Sequence, residues 1–109
     1  MPRELPESDW KILSRLKPLA LDRLCQRILL ESENIIARVK EGGYHSAYLE
    51  LYKHIHANDK KIDNCFNDWR RSSALEILIN WRLENLITEE EFAAFSSETR
   101  TIVNGFLER

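Results

Sequence analysis

The run YKHIHANDKKIDNCFNDWRR, Tyr52 to Arg71, gathers the side chains best suited to chemistry. It holds His54 and His56, then Asp59, Asp63 and Asp68, with Cys65 between the last two. On a helix these groups separate. His54 and His56 diverge by about 160°, so they cannot share one ion. Glu50, four residues before His54, lies on the same side as His54. Glu31 reaches that level if the preceding helix folds back, which makes Glu31, Glu50 and His54 the candidate metal set. The patterns that bundles use for metals argue against it. A di-iron site needs Glu-x-x-His on each of two helices, and a zinc protease needs His-Glu-x-x-His. Neither occurs, and no cofactor is expected.

Nucleophilic chemistry is no better supported. Cys25 and Cys65 both fall on apolar stripes, where burial disfavours the thiolate. Cys65 and His54 stand eleven residues apart, roughly 16 Å along a helix. No glycine-rich nucleophile elbow or phosphate loop is present. The cysteines are forty residues apart and match no zinc spacing, so reduced thiols are expected.

The segments DWRRSS and NWRLEN interleave Trp69 and Trp81 with Arg70, Arg71 and Arg82, a composition that can stack bases. A net charge of −2 and a pI of about 5.9 oppose general nucleic-acid binding. Trp69 also continues an apolar seam, and arginine beside tryptophan often only covers it.

The elements that would carry these residues are helices. Apolar residues recur at spacings of three and four, and no stretch alternates strictly. With 43% apolar and 31% charged residues, the 109 residues suit one globular domain with an arm over residues 1–7. Ser8 is a candidate N-cap, with Asp9 in the first turn and Trp10, Leu13 and Leu16 facing inward. Pro18 ends that short helix and opens a second over residues 18–41, striped by Leu21, Cys25, Ile28, Ile35 and Val39. Gly42 and Gly43 supply a left-handed stop and an antiparallel return. The third helix spans about 44–70, with a seam of Tyr44, Tyr48, Leu51, Ile55, Asn58, Ile62, Cys65 and Trp69. Its unbroken four–three rhythm favours continuity through Asn58 over a break there.

A fourth helix, SSALEILINWRLENLI, is apolar except on a narrow face of Glu76, Asn80 and Glu84. Asn85 suits a left-handed cap, and Thr88 with Glu91 reads as a capping box. The last seam is Phe92, Phe95, Thr99, Ile102 and Phe106, with Ser96 or Ser97 capping a final short helix. The expected fold is all-α, a small bundle of five to six helices built round the long hairpin.

Asn58 sits alone among apolar seam residues. It can fix register or oligomeric state, within a hydrogen-bonded layer with the polar run Glu31 to Asn34, or it can simply reach water. These features point to a non-enzymatic interaction or regulatory module, a homodimer or a partner of another helical protein. A helix apolar nearly all round is central or shared, so Leu75, Leu78, Ile79 and Trp81 become the interface candidates. The alternatives are a nucleic-acid regulator using Arg70, Arg71 and Arg82, and a metal-dependent enzyme using Glu31, Glu50 and His54. No apolar run approaches a membrane span and the N-terminus has no apolar signal region, which leads to a cytoplasmic expectation.

Overall fold

Pro18 does not break the first helix. In the computed structural model, which describes residues 5–40 and 42–108, α1 runs unbroken from Glu7 to Ala37. A proline inside a helix costs about 3 kcal/mol or more. Here Leu13, Ala20 and Leu24 lie fully buried on either side of it. Burying a leucine is worth about 1.5–3 kcal/mol, so packing on both flanks outweighs the local penalty. The helix starts after Pro6 and not at Ser8, which falls inside its first turn. Of the arm expected over residues 1–7, residues 1–4 lie outside the described residues, Leu5 packs into the core and Glu7 opens α1.

Gly42 and Gly43 both take positive φ, 93° and 77°, and turn the chain into α2, Tyr44–Ile62. The helix continues through Asn58, as the seam predicts. Its end differs: a π turn over Asp63–Asn67 closes it before Asp68, short of residue 70. The wider turn lets Cys65 and Phe66, neighbours in sequence, both face the core.

A 3₁₀ turn at Arg71–Ser73 leads into α3, Ala74–Leu83. Then follow α4, Glu89–Ala93, and α5, Ser97–Leu107. The described residues contain no strand, and the fold is all-α. Local punctuation falls where expected. Asn85 is left-handed, with φ 56°. Thr88 and Glu91 form a reciprocal capping box, and Ser96 caps α5 by accepting from the Thr99 N–H. In the last seam Phe92, Phe95, Thr99 and Val103 are buried, and Val103 replaces the expected Ile102 and Phe106.

The core forms round α3. Ala74, Ile77, Leu78 and Trp81 are buried there against Leu13, Leu24, Cys65, Phe66, Phe95 and Val103. The Trp81 indole N–H donates to the Cys65 carbonyl at 2.9 Å, and its ring packs against Trp69 and Phe66. Most of the apolar character of α3 is therefore consumed within one chain, with Leu83 at its end left exposed. The short helices α3 to α5 gather round the π turn and the earlier part of α1. The far end of the α1–α2 hairpin extends beyond them, in a molecule measuring 55 × 27 × 26 Å. No residue of α2 is buried, and the seam positions Tyr44 and Tyr48 are two-thirds exposed. The seam is regular, but its upper half has nothing packed over it.

Candidate interaction surface on the helical hairpin

The hairpin register is set by contacts at three levels. Arg38 pairs with Glu50, His54 meets Ile28 and Glu31, and Leu29 borders the same groove as Ile55. At about 100° per residue, these contacts divide the hairpin into two unlike sides. One side is polar, with Glu31, Asn34, Arg38, Glu50 and His54 lining a shallow groove. The other is apolar.

The polar side brings Glu31, Glu50 and His54 together but commits them elsewhere. Glu50 is paired with Arg38. His54 Nε2 lies 3.1 Å from the Ile28 carbonyl, which can only accept, so Nε2 carries the proton. Nδ1 then accepts from the Asn58 side-chain amide at 3.2 Å, and that amide also donates to the His54 carbonyl at 2.8 Å. Both imidazole nitrogens are thus engaged. Among the described residues no group of three His, Cys, Asp or Glu is placed to hold a metal ion. The metal reading of Glu31, Glu50 and His54 is corrected to a register layer. The Ser32 hydroxyl donates to the same Ile28 carbonyl at 2.8 Å and completes it. Asn58 does not cross to α1; it orients His54, which does. The clue in the sequence is the four-residue spacing of His54 and Asn58 opposite Ser32, but a backbone acceptor leaves no mark in a sequence.

The two thiols sit in unlike settings. Burial, with the Glu84 charge as a smaller cause, pushes the Cys65 thiol up to about 11. Cys25 is half-buried at the edge of the apolar groove.

Arg70, Arg71 and Arg82 are each paired with a carboxylate of the same chain. Arg70 makes two hydrogen bonds to Asp68, at 2.7 and 3.1 Å, and these hold the Asp68 carboxyl below its usual range. Arg71 pairs with Glu7 and packs over Trp10. Arg82 pairs with Glu89 at 2.9 Å and covers Phe92. Arg71 and Arg82 flank opposite ends of α3, roughly 15 Å apart. Trp81 is wholly buried, Trp69 lies against Trp10 and Trp81, and Lys17 sits over Trp69 at 4.1 Å. Trp81 thus offers no face to a base, and Trp10 and Trp69 are part-buried against each other. The interface placed on α3 is corrected on the same ground. Leu78 and Trp81 have no exposed surface, and Leu75 and Ile79 pack against the core.

Sequence reasoning missed the residues that fix the hairpin to the rest of the fold. Arg23 makes a two-pronged bond to Glu91 at 2.7 and 3.0 Å and also donates to the Leu86 carbonyl. Arg23 thereby holds the Glu91 carboxyl below its usual range, Thr88 adding to the effect. Arg27 donates to the Glu84 carbonyl, and Lys61 of α2 lies 3.6 Å from the Glu84 carboxylate. All three cations reach from the polar side, so the helical body sits there and leaves the apolar side open.

That open side carries Leu29 and Ile36 from α1 and Tyr44, Tyr48, Tyr52 and Ile55 from α2. Their exposure runs from 38% at Ile55 to 68% at Tyr44. At roughly 200 Å² for a side chain of this size, the six leave on the order of 700 Å² in water. The largest apolar patch on a typical monomer is about 300–600 Å². A stable interface takes about 800 Å² from each partner. Among the described residues no helix is long and apolar enough to cross a membrane. No protein-family model, curated protein or solved structure matches this chain.

Proposed function

We propose that the protein is a non-enzymatic helical interaction module that homodimerises through the apolar side of its α1–α2 hairpin. One observation carries the reading: an exposed apolar strip of near-interface size on two adjacent helices. A two-helix layer buries only one flank of each helix. Stacking a second hairpin on it makes a four-helix bundle, a common way to bury such faces. The isologous dimer is also the commonest symmetric assembly. A cytoplasmic setting suits the two unpaired thiols.

Light scattering on the eluting protein tests the proposal. The chain should emerge at twice its 12.9 kDa mass. Ile55→Asp should emerge at the single mass with its helical circular dichroism intact, since Ile55 lies outside the buried core. Leu78→Asp should unfold instead, because Leu78 is fully buried within one chain. A wild-type monomer of full helicity would overturn the proposal.

A further inference from the structure

The two sides of the open strip are not alike, and the difference orients a second copy. α1 offers Leu29 and Ile36, with half-buried Cys25 at the edge. α2 offers the longer Tyr44, Tyr48 and Tyr52, with Ile55. The outer edges differ too. Exposed Asp22 and Glu33 edge α1, whereas Lys53, His56 and Lys60, all exposed, edge α2. In the hairpin register Leu29 stands level with Ile55, and Ile36, seven residues on, with Tyr48. By the same register Glu33 stands within two residues of the levels of Tyr52 and Lys53, Asp22 within two of Lys60, and Gln26 within one of Asp59, each offset about 3 Å or less along the helix.

We infer that the second copy of this chain docks in parallel, each α1 lying on the other copy's α2, about a twofold axis running along the hairpin. This rests on the dimer proposed above. A twofold axis in that direction keeps every residue at its own level. Leu29 then meets the second copy's Ile55, and Ile36 meets its Tyr48. Tyr48 then stands over Ile36, a long side chain over a shorter one, which helps to fill a helical core. Glu33 comes opposite Lys53 and the Tyr52 hydroxyl, and Asp22 opposite Lys60. The Gln26 amide can donate to Asp59, the one carboxylate on the inner part of the α2 face.

An axis running across the hairpin gives the other twofold arrangement. It lays α1 on α1 and α2 on α2, tyrosine against tyrosine and acidic edge against acidic edge. Packing and charge both disfavour it. Among the described residues nothing obstructs the parallel form, because Arg23, Arg27 and Lys61 hold each helical body on the polar side, away from the joint. Both bodies then lie at one end of the dimer and both glycine turns at the other.

Pulsed electron paramagnetic resonance separates the two arrangements. A spin label on Lys11→Cys, in a Cys25→Ala background, sits about twenty residues from the middle of the strip. Cys65 is buried and does not compete for the label. The parallel dimer gives a label separation under about 30 Å, and the antiparallel one about 60 Å, at 1.5 Å of rise per residue. The short distance is the expected result. A distance near 60 Å would overturn the parallel arrangement and leave the dimer standing. An absent intermolecular signal from a chain of single mass would overturn both.

Charge reversal gives a second readout with opposite signs. In the parallel dimer Glu33→Lys weakens association about threefold, as suits an exposed pair, and adding Lys53→Glu restores it. In the antiparallel form Glu33→Lys relieves an acidic edge and tightens association. Tightening would therefore overturn the inference.

Discussion

Asp9 ties the two ends of the chain together, and removing it should be costly. It is 1% exposed. One carboxylate oxygen accepts from the Ser96 N–H at 2.9 Å; the other accepts from the Ser96 hydroxyl at 2.7 Å and the Thr99 hydroxyl at 2.6 Å. These three bonds join the first turn of α1 to the first turn of α5, where the helix dipole also favours negative charge. A hydrogen bond to a charged group contributes about 1.5–3 kcal/mol. Asp9→Ala removes all three, but it also removes the cost of burying the carboxylate. The two hydroxyls keep each other, and Ser96 still accepts from the Thr99 N–H. The net loss should be about 3 kcal/mol, a large part of the 5–15 kcal/mol typical of a domain. Urea denaturation followed by circular dichroism measures it, at one fixed protein concentration because the proposed dimerisation would add to apparent stability. Asp9→Asn keeps the shape and one acceptor oxygen, and should lose about half as much. A double-mutant cycle with Ser96→Ala should return a coupling of about 1–2 kcal/mol. An Asp9→Ala variant within about 0.5 kcal/mol of wild type would refute the reasoning, since no buried, bonded carboxylate of this kind should be so cheap to remove.

Other outcomes follow from the same structure. Trp81→Ala should cost about 3–5 kcal/mol in the same denaturation experiment, as the loss of a fully buried tryptophan does. In nitrogen NMR, His54 should show the tautomer protonated at Nε2, and Asn58→Leu should weaken that preference and cost about 1 kcal/mol. Cys65 should resist thiol reagents near pH 8 while Cys25 reacts first, and dilution below the dissociation constant of the proposed dimer should speed Cys25 further. The folded-state pKa of Cys65 is raised from an ordinary value of 9.0 to about 11. Its contribution is therefore complete below pH 9 and lost between pH 9 and 11, on the order of 2 kcal/mol, visible as a falling denaturation midpoint.

Features set by neighbours in the chain were legible in the sequence. The Thr88–Glu91 capping box, the Ser96 cap, the Gly42–Gly43 reversal and the left-handed Asn85 all depend on a few consecutive residues. So does the continuity of α2 through Asn58, because its heptad phase never slips. Features set by distant partners were not legible. Pro18 reads locally as a helix end, and only the burial of Leu13 and Leu24 on one continuous core reverses that. α3 reads as too apolar for one small chain. The π turn answers this, since it turns both Cys65 and Phe66 toward Trp81. His54 reads as a ligand because its true partner is the backbone of Ile28. Asp9 reads as a dipole charge, and its partners lie 87 and 90 residues away. For the proposed docking surface the residues were visible and their occupant was not. Tyr44, Tyr48 and Ile55 appear in the seam, but a sequence does not show that α3 to α5 are too short to reach them.

Sedimentation velocity across a dilution series asks whether the hairpin's apolar side joins two copies of the chain. The wild-type chain should populate a species of twice 12.9 kDa that dissociates on dilution. Leu29→Asp and Tyr48→Asp, on opposite helices of the same strip, should each abolish that species while leaving far-ultraviolet circular dichroism unchanged. A single 12.9 kDa species at every concentration, or a dimer indifferent to both substitutions, would contradict the assignment of the hairpin's apolar side as the interface.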